Sequence, residues 1–328
     1  MWGVSLRRSC ELGDGVEGGC VDCGKPRTRE NIQYGLMAQP EKFHVELEGR
    51  TRTFDHLAGS GHNWLVVNKP PKRATRVLAV ANQKGGVGKT TTSVNLGAAI
   101  AEMGSRVLVV DLDPQGNAST GLGVDAHNLD ASVYDALIHD ADLEDCIEPT
   151  SLKNLFVVPS TLDLAGAEVE LVSAFNRERK LKKALEPIVE EFDFVLIDCP
   201  PSLGLITVNA LAAASEIVIP IQCEYYALEG LGQLMRNVKL IQDNLNADLR
   251  VSAIILTMFD ARTSLSREVV SQVREHFGGI VCETVVPRNV KISEAPSFGQ
   301  PIIVFDPTSR GAVAYRELAK EVTSDNAA

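Results

Sequence analysis

From Arg76 onward, apolar residues come in short unbroken blocks, rich in valine and isoleucine, separated by segments with helical spacing. The blocks "RVLAVAN" (76–82), "RVLVVDLD" (106–113), "FDFVLIDCP" (192–200), "EIVIPIQ" (216–222) and "VSAIILTMFD" (251–260) read as buried strands. "GIVCETVVP" (279–287) and "PIIVFD" (301–306) are further strand candidates. "TTTSVNLGAAIAEMG" (90–104) reads as a helix closed by Gly104, and helical spacing continues over 162–191, 203–214, 227–245, 264–277 and 309–323. Continuous rather than alternating apolar strands are buried on both faces. Their alternation with helices predicts an α/β fold, a mainly parallel twisted sheet with helices on both sides.

Residues 1–75 break this pattern. "ELGDGVEGGC" (11–20) and "EGRTRTFDHLAGSGH" (48–62) carry glycine and charge without a sustained period, and "KPPKRATR" (69–76) is a basic, proline-containing linker. The expected organisation is a disordered extension with its basic linker over 1–75 and one folded domain over 76–328.

Composition narrows the function classes. Hydrophobic residues make up 45% and charged residues 23% of 328, as in a globular chain. No apolar run approaches the roughly 20 residues of a membrane span, and no apolar core follows Arg7 and Arg8 to make a secretory signal. The expectation is a cytoplasmic protein with its seven cysteines reduced. Cys20-Val-Asp-Cys23 lacks a second matching pair for a metal site. The net charge of −11 opposes diffuse binding to nucleic acid but leaves room for a local basic patch.

The candidate chemistry starts at "NQKGGVGKTTTS" (82–93). Gly88-Lys89-Thr90 ends a phosphate loop, but Gln83 occupies the position of its first glycine, and a second lysine, Lys84, precedes the glycines. A strand before the loop and a helix after it would aim backbone N–H groups at an anion. Lys89 would hold the β- and γ-phosphates and the Thr90 hydroxyl a Mg²⁺ ion. Two strand ends add carboxylates, Asp111 and Asp113 in "VVDLDPQGNAS" (109–119) and Asp198 in "FDFVLIDCPPS" (192–202). Asp198 fits the position that holds the Mg²⁺ water shell.

"KGGVGKTT" (84–91) resembles the deviant Walker A motif of a P-loop NTPase group that includes partition ATPases, MinD-type ATPases and nitrogenase iron protein. "PRNVKISEAPSFGQP" (287–301), "FDPTSRGAVAY" (305–315) and "CEYYALEGL" (223–231) narrow the resemblance to ParA/Soj-type chromosome-partitioning ATPases over about 76–323. That resemblance implies an ATP- and Mg²⁺-dependent homodimer. Residues Gly85, Gly86, Val87, Gly88, Lys89, Thr90 and Thr91 would bind nucleotide, and Lys84 would reach the partner subunit's phosphates. Asp113 would place the attacking water, and Asp111 would support either Mg²⁺ or the geometry of its loop. Pro287, Arg288 and Asn289 would lie by adenine and ribose.

It further implies slow ATP hydrolysis stimulated by a ParB-type centromere-binding partner. The dimer would bind double-stranded DNA non-specifically on the nucleoid through a basic surface containing Arg262 and Lys291. Arg267 and Arg274 share that segment, where solvated arginines are ordinary. The rival is a MinD-like regulator attached to a membrane. The C-terminal "ELAKEVTSDNAA" (317–328) lacks the basic amphipathic character this needs, so no membrane contact is expected.

Overall fold

The computed structural model describes residues 43–47, 50–54, 74–125, 129–225 and 227–324. They fall into two units, Met1–Pro70 and Pro71–Ala328. In the first, strands β1 (Phe43–Leu47) and β2 (Arg50–Phe54) pair antiparallel, Phe43 opposite Phe54 and Leu47 opposite Arg50. The expectation of a patternless extension overlooked this ribbon. Cys10, Cys20, Cys23 and residues 69–73 of the basic linker lie outside the described residues.

The second unit is built on a seven-stranded sheet, formed by β3 (Arg76–Val80), β4 (Val107–Asp111), β5 (Glu148–Pro149), β6 (Leu155–Val158), β7 (Phe194–Asp198), β8 (Glu216–Gln222) and β9 (Arg250–Thr257). The order is β5-β6-β4-β7-β3-β8-β9, parallel except for the short β5 edge. Chain progress moves from β3 to β4 on one side, and later from β7 past β3 to β8 on the other. The carboxyl ends of β3, β4 and β7 therefore flank a switch point, where loops part and leave room for a ligand.

The apolar blocks divide between two cores with the strict two-residue period of a strand. Ala79, Val110, Val195, Ile219 and Leu256 face one core; Leu78, Val109, Leu196, Val218 and Ile255 face the other. The first core is covered by helices α3 (Val133–Ile138), α4 (Leu164–Glu170), α5 (Lys180–Leu185), α6 (Leu205–Ala213), α7 (Ala227–Asn244) and α8 (Ser264–Phe277). The second is covered by α1 (Lys89–Glu102), α2 (Asn117–Gly121), α10 (Ile302–Phe305) and α11 (Arg310–Thr323). A short α9 (Val290–Glu294) precedes α10.

Three expectations change. The helix read over 162–191 is interrupted, because Ala174 is extended (ψ 142°) and Asn176 takes a left-handed φ of 52°. "PIIVFD" is a single helical turn rather than a strand: Ile302 and Ile303 are buried beneath it, and Ile302 N–H donates to Asn95 Oδ1 at 2.6 Å. "GIVCETVVP" runs beside β9 but makes only isolated bridges, at Val281 and Pro287. Between them the Glu321 carboxylate accepts the N–H groups of Glu283 and Thr284 and so interrupts the ladder.

Candidate functional site

The loop between β3 and α1 turns on two glycines whose backbone a side chain would strain, Gly86 at φ 73° and Gly88 at φ 90°. On its outer side, a Cβ at Gly85 or Gly86 would meet nothing within 4 Å, so the loop presents bare backbone to an open space. Gly88 caps α1 without a side chain, which leaves the first-turn N–H groups for an external acceptor. Lys89 is 6% exposed and folds back over the loop, its Nζ 3.2 Å from Lys84 O. Burial pulls the ammonium below its ordinary pKa, against an opposing pull from Asp198.

Lys84 does the reverse. Its N–H is anchored to Asn82 Oδ1 at 3.0 Å, but its Nζ leaves the loop and pairs with Glu224, just beyond the end of β8. The two lysines of one loop thus point to different places.

Register brings two carboxylates side by side, since Asp111 and Asp198 are direct partners across the β4–β7 ladder and both are fully buried. Burial raises Asp198 to about 8, with the Asp111 charge adding to it. Its Oδ1 accepts from Ser93 Oγ at 2.8 Å; Oδ2 is buried without a formed hydrogen bond, the Thr90 hydroxyl lying near enough only to draw the carboxyl's pKa back down. Such an oxygen suits a hard divalent cation. Asp111 is raised to about 6 by burial, and its oxygens are engaged: Oδ1 by Asp113 N–H (3.1 Å), Oδ2 by Ser119 N–H (2.9 Å) and Oγ (2.7 Å). Both of its oxygens thus carry hydrogen bonds from the segment that follows β4.

Asp113 is half-buried, and its Oδ1 accepts Gln115 N–H at 3.0 Å. It opens on a 310 Å³ cleft walled by Pro200, Pro201, Ser202 and Glu168. A second cleft of 250 Å³ opens beside Thr90 and Thr91, with Asn95, Asn117, Thr120 and Gln300 on its walls.

The structure therefore brings together Lys84, Gly85 to Thr91, Asp111, Asp113 and Asp198. It does not bring Pro287, Arg288 or Asn289 into either cleft. Arg288 N–H donates to Phe259 O, and the Asn289 side chain caps α9 by accepting Lys291 N–H. Nor are the two surface cations idle. Arg262 grips Asp260 through Nε (2.9 Å) and Nη2 (2.7 Å), and Lys291 pairs with Glu294 at 2.8 Å. Sequence reasoning missed Asn82, Ser93, Ser119 and Thr257, which act on the site through the fold. Asn82 adjoins the loop, a usable signal; the others are announced only by their positions in three dimensions.

A family model described as an AAA domain matches residues 75–251. The sporulation initiation inhibitor protein Soj of Bacillus subtilis is 56% identical over 250 residues, 76% of this chain and 99% of the relative. The chain belongs to the Soj/ParA family of chromosome-partitioning ATPases. The chromosome partitioning protein ParA of Myxococcus xanthus is 52% identical, over 75% of this chain and 87% of its own length. Among solved structures, a cobyrinic acid a,c-diamide synthase from Mycobacterium smegmatis with bound ADP and magnesium is 42% identical. It superposes with a TM-score of 0.66 over 75% of this chain and 93% of its own. The sheet and loop described above are thus those of a Soj/ParA P-loop NTPase, and about a quarter of the chain has no counterpart in the Bacillus relative.

Proposed function

We propose that this Soj/ParA chain binds ATP with Mg²⁺ at residues 84–91, closes into a homodimer, and in that state holds double-stranded DNA non-specifically until hydrolysis releases it. One observation carries the reading: a buried ammonium, Lys89, and a buried carboxylate oxygen without a formed hydrogen bond, Asp198 Oδ2, flank an open glycine loop at a helix N-terminus. An anion and a cation supplied together satisfy both groups, and Mg²⁺–triphosphate is such a pair.

The roles follow from position. The N–H groups of Gly85 to Thr91 cradle phosphate oxygens and Lys89 offsets their charge. Asp198 and the Thr90 hydroxyl hold Mg²⁺, which when bound would withdraw charge from the transferring phosphoryl group. Asp111 fixes the loop that carries Asp113, and Asp113 orients the attacking water. Lys84, directed away from its own loop, serves the partner subunit's phosphates, where a cation stabilises charge as it moves to the leaving oxygen. Pro287, Arg288 and Asn289 are assigned to base and ribose on family resemblance alone. The slow cycle is accelerated by a ParB-type partner and set on the nucleoid.

DNA contact is assigned to Arg262 and Lys291, which would give affinity through phosphates without reading sequence. Against a membrane role, α11 places five residues, Ala312, Tyr315, Leu318, Ala319 and Val322, in the second core. No helix among the described residues is long and apolar enough to cross a membrane.

The reading is tested by sedimenting the protein with DNA of random sequence, and separately with anionic liposomes, with ATP or ADP and Mg²⁺. Retention on DNA with ATP alone is expected. Retention on liposomes instead, or on DNA regardless of nucleotide, would overturn it.

A further inference from the structure

The phosphate loop rests on a residue far from it in sequence. Thr257 ends β9, is 2% exposed, and places its Oγ1 2.8 Å from Val87 O and 3.1 Å from Ile221 O. The hydroxyl has one proton, and the shorter contact makes the loop carbonyl its principal acceptor. The same side chain lies under Gly88: a Cβ there would come within 3.7 Å of Thr257 Cγ2.

We infer that Thr257 is a positioning residue for the nucleotide site, which holds the Val87–Gly88 peptide in the orientation that binds phosphate. The physical reason lies in that one peptide. Gly88 has φ 90°, a region where glycine turns freely, so local sterics do little to fix the neighbouring peptide plane. Rotation of that plane would swap the Gly88 N–H for the Val87 carbonyl and aim a negative dipole at an incoming anion. The hydrogen bond from Thr257 keeps the carbonyl directed into the protein and the N–H free to face outward. Val87 is 1% exposed, so a carbonyl without this donor would be deprived of its partner in a dry site, a costly state that favours rearrangement.

The clamp is part of a two-point attachment. At the other end of the loop, Asn82 donates from Nδ2 to Pro220 O at 2.8 Å and accepts Lys84 N–H at 3.0 Å. The loop is thereby fixed to β8 by Asn82 and to β9 by Thr257, while Lys84 to Gly86 between them stays open to ligand.

This inference rests on the reading of the loop as an ATP site, and the test separates the two. The affinity of a fluorescent ATP analogue with Mg²⁺ is measured for the full chain, Thr257→Val and Thr257→Ser. Hydrogen exchange of the peptide spanning 82–92 and the thermal midpoint are followed without nucleotide. Valine keeps the shape and removes the hydroxyl; serine keeps the hydroxyl and removes the methyl. Thr257→Val is expected to bind about tenfold more weakly, the equivalent of one lost hydrogen bond, and to exchange faster at 82–92. Thr257→Ser is expected to stay within about twofold of the unaltered chain, since its hydrogen bond is kept. Wild-type affinity in Thr257→Val, or equal weakening in both variants, would overturn the inference. A fall in thermal midpoint with unchanged affinity and exchange would also overturn it, as the mark of a merely structural residue. If Thr257→Val does not fold, Thr257→Ala, which also lacks the hydroxyl, takes its place under the same affinity and exchange criteria. Failure of the unaltered chain to bind the analogue would overturn the ATP reading itself.

Discussion

Lys89 and Arg262 are both cations assigned to phosphate, and the fold treats them in opposite ways. Lys89 is 6% exposed, shaped by glycines on one side and by buried carboxylates on the other, with its charge already opposed by burial. The Arg262 side chain is 86% exposed and doubly bonded to Asp260, two residues before it, which holds the Asp260 carboxyl down at about 2. The first is a site built in advance, where removing one partner leaves others buried and unsatisfied. The second is a surface that must exchange an internal acidic partner for an external one, at small net gain. The nucleotide site should therefore respond to mutation in an all-or-none way, and the surface by degrees.

The largest effect is expected at the loop. Lys89→Ala removes the one buried cation the loop turns on its own phosphates, and nucleotide affinity should fall at least about a hundredfold, of the order of 3 kcal/mol for an unpaired buried charge. Titration calorimetry with ATP and Mg²⁺ checks this. A variant that binds normally would make Lys89 as dispensable as a surface cation.

A smaller effect is expected from pH on the nucleotide-free chain. Asp111 and Asp198 have folded-state values near 6 and 8, both above the unfolded value near 4. The folded chain therefore holds their protons more tightly. That stabilisation is complete below about pH 4 and is lost as pH rises through about 6 and then 8. Between pH 6 and 8.5 the unfolding free energy should fall by about 1–3 kcal/mol. Asp198→Asn should flatten the profile and Mg²⁺-nucleotide should reverse the loss. A nucleotide-free profile equally flat in the unaltered chain would mean that the carboxylates have a neutralising partner already.

The smallest effect belongs to the surface. Asp260→Asn frees Arg262 from its own acid, and the ATP-dependent affinity for DNA should rise by about two- to fivefold at low salt, with the gain shrinking as salt increases. Fluorescence anisotropy against salt checks it. An unchanged affinity and slope would place the DNA surface elsewhere on the molecule.

The same contrast governs what could be read from the chain. Five strands were legible because each is a continuous apolar block whose two faces meet two cores, and the loop was legible because glycines, lysine and threonine must be consecutive to cradle a phosphate. Leu155–Val158 is too short, at four residues, to stand out as a strand, and the four apolar residues of Ile302–Phe305 have no period of their own that tells a helical turn from a strand. Their fate is decided by a neighbouring strand in one case and by Asn95 in the other. Within the site, Asp198 could be found as the end of an apolar strand, but its proximity to Asp111 depends on the β4–β7 register, which no local pattern encodes. Thr257 was invisible for the same reason, since it meets Val87 only when β9 takes its place at the edge of the sheet.

The division of labour between the two lysines is tested most directly by light scattering with Lys84→Ala, with nucleotide affinity measured on the same sample. Lys89 is folded into its own loop, whereas Lys84 leaves it for Glu224. With ATP and Mg²⁺ the unaltered chain should double its mass. Lys84→Ala should keep nucleotide affinity within about threefold, since its charge is aimed elsewhere, and remain at the monomer mass. A Lys84→Ala chain that dimerises as readily as the unaltered one, or that loses nucleotide binding as Lys89→Ala does, would contradict the assignment of one lysine to each subunit.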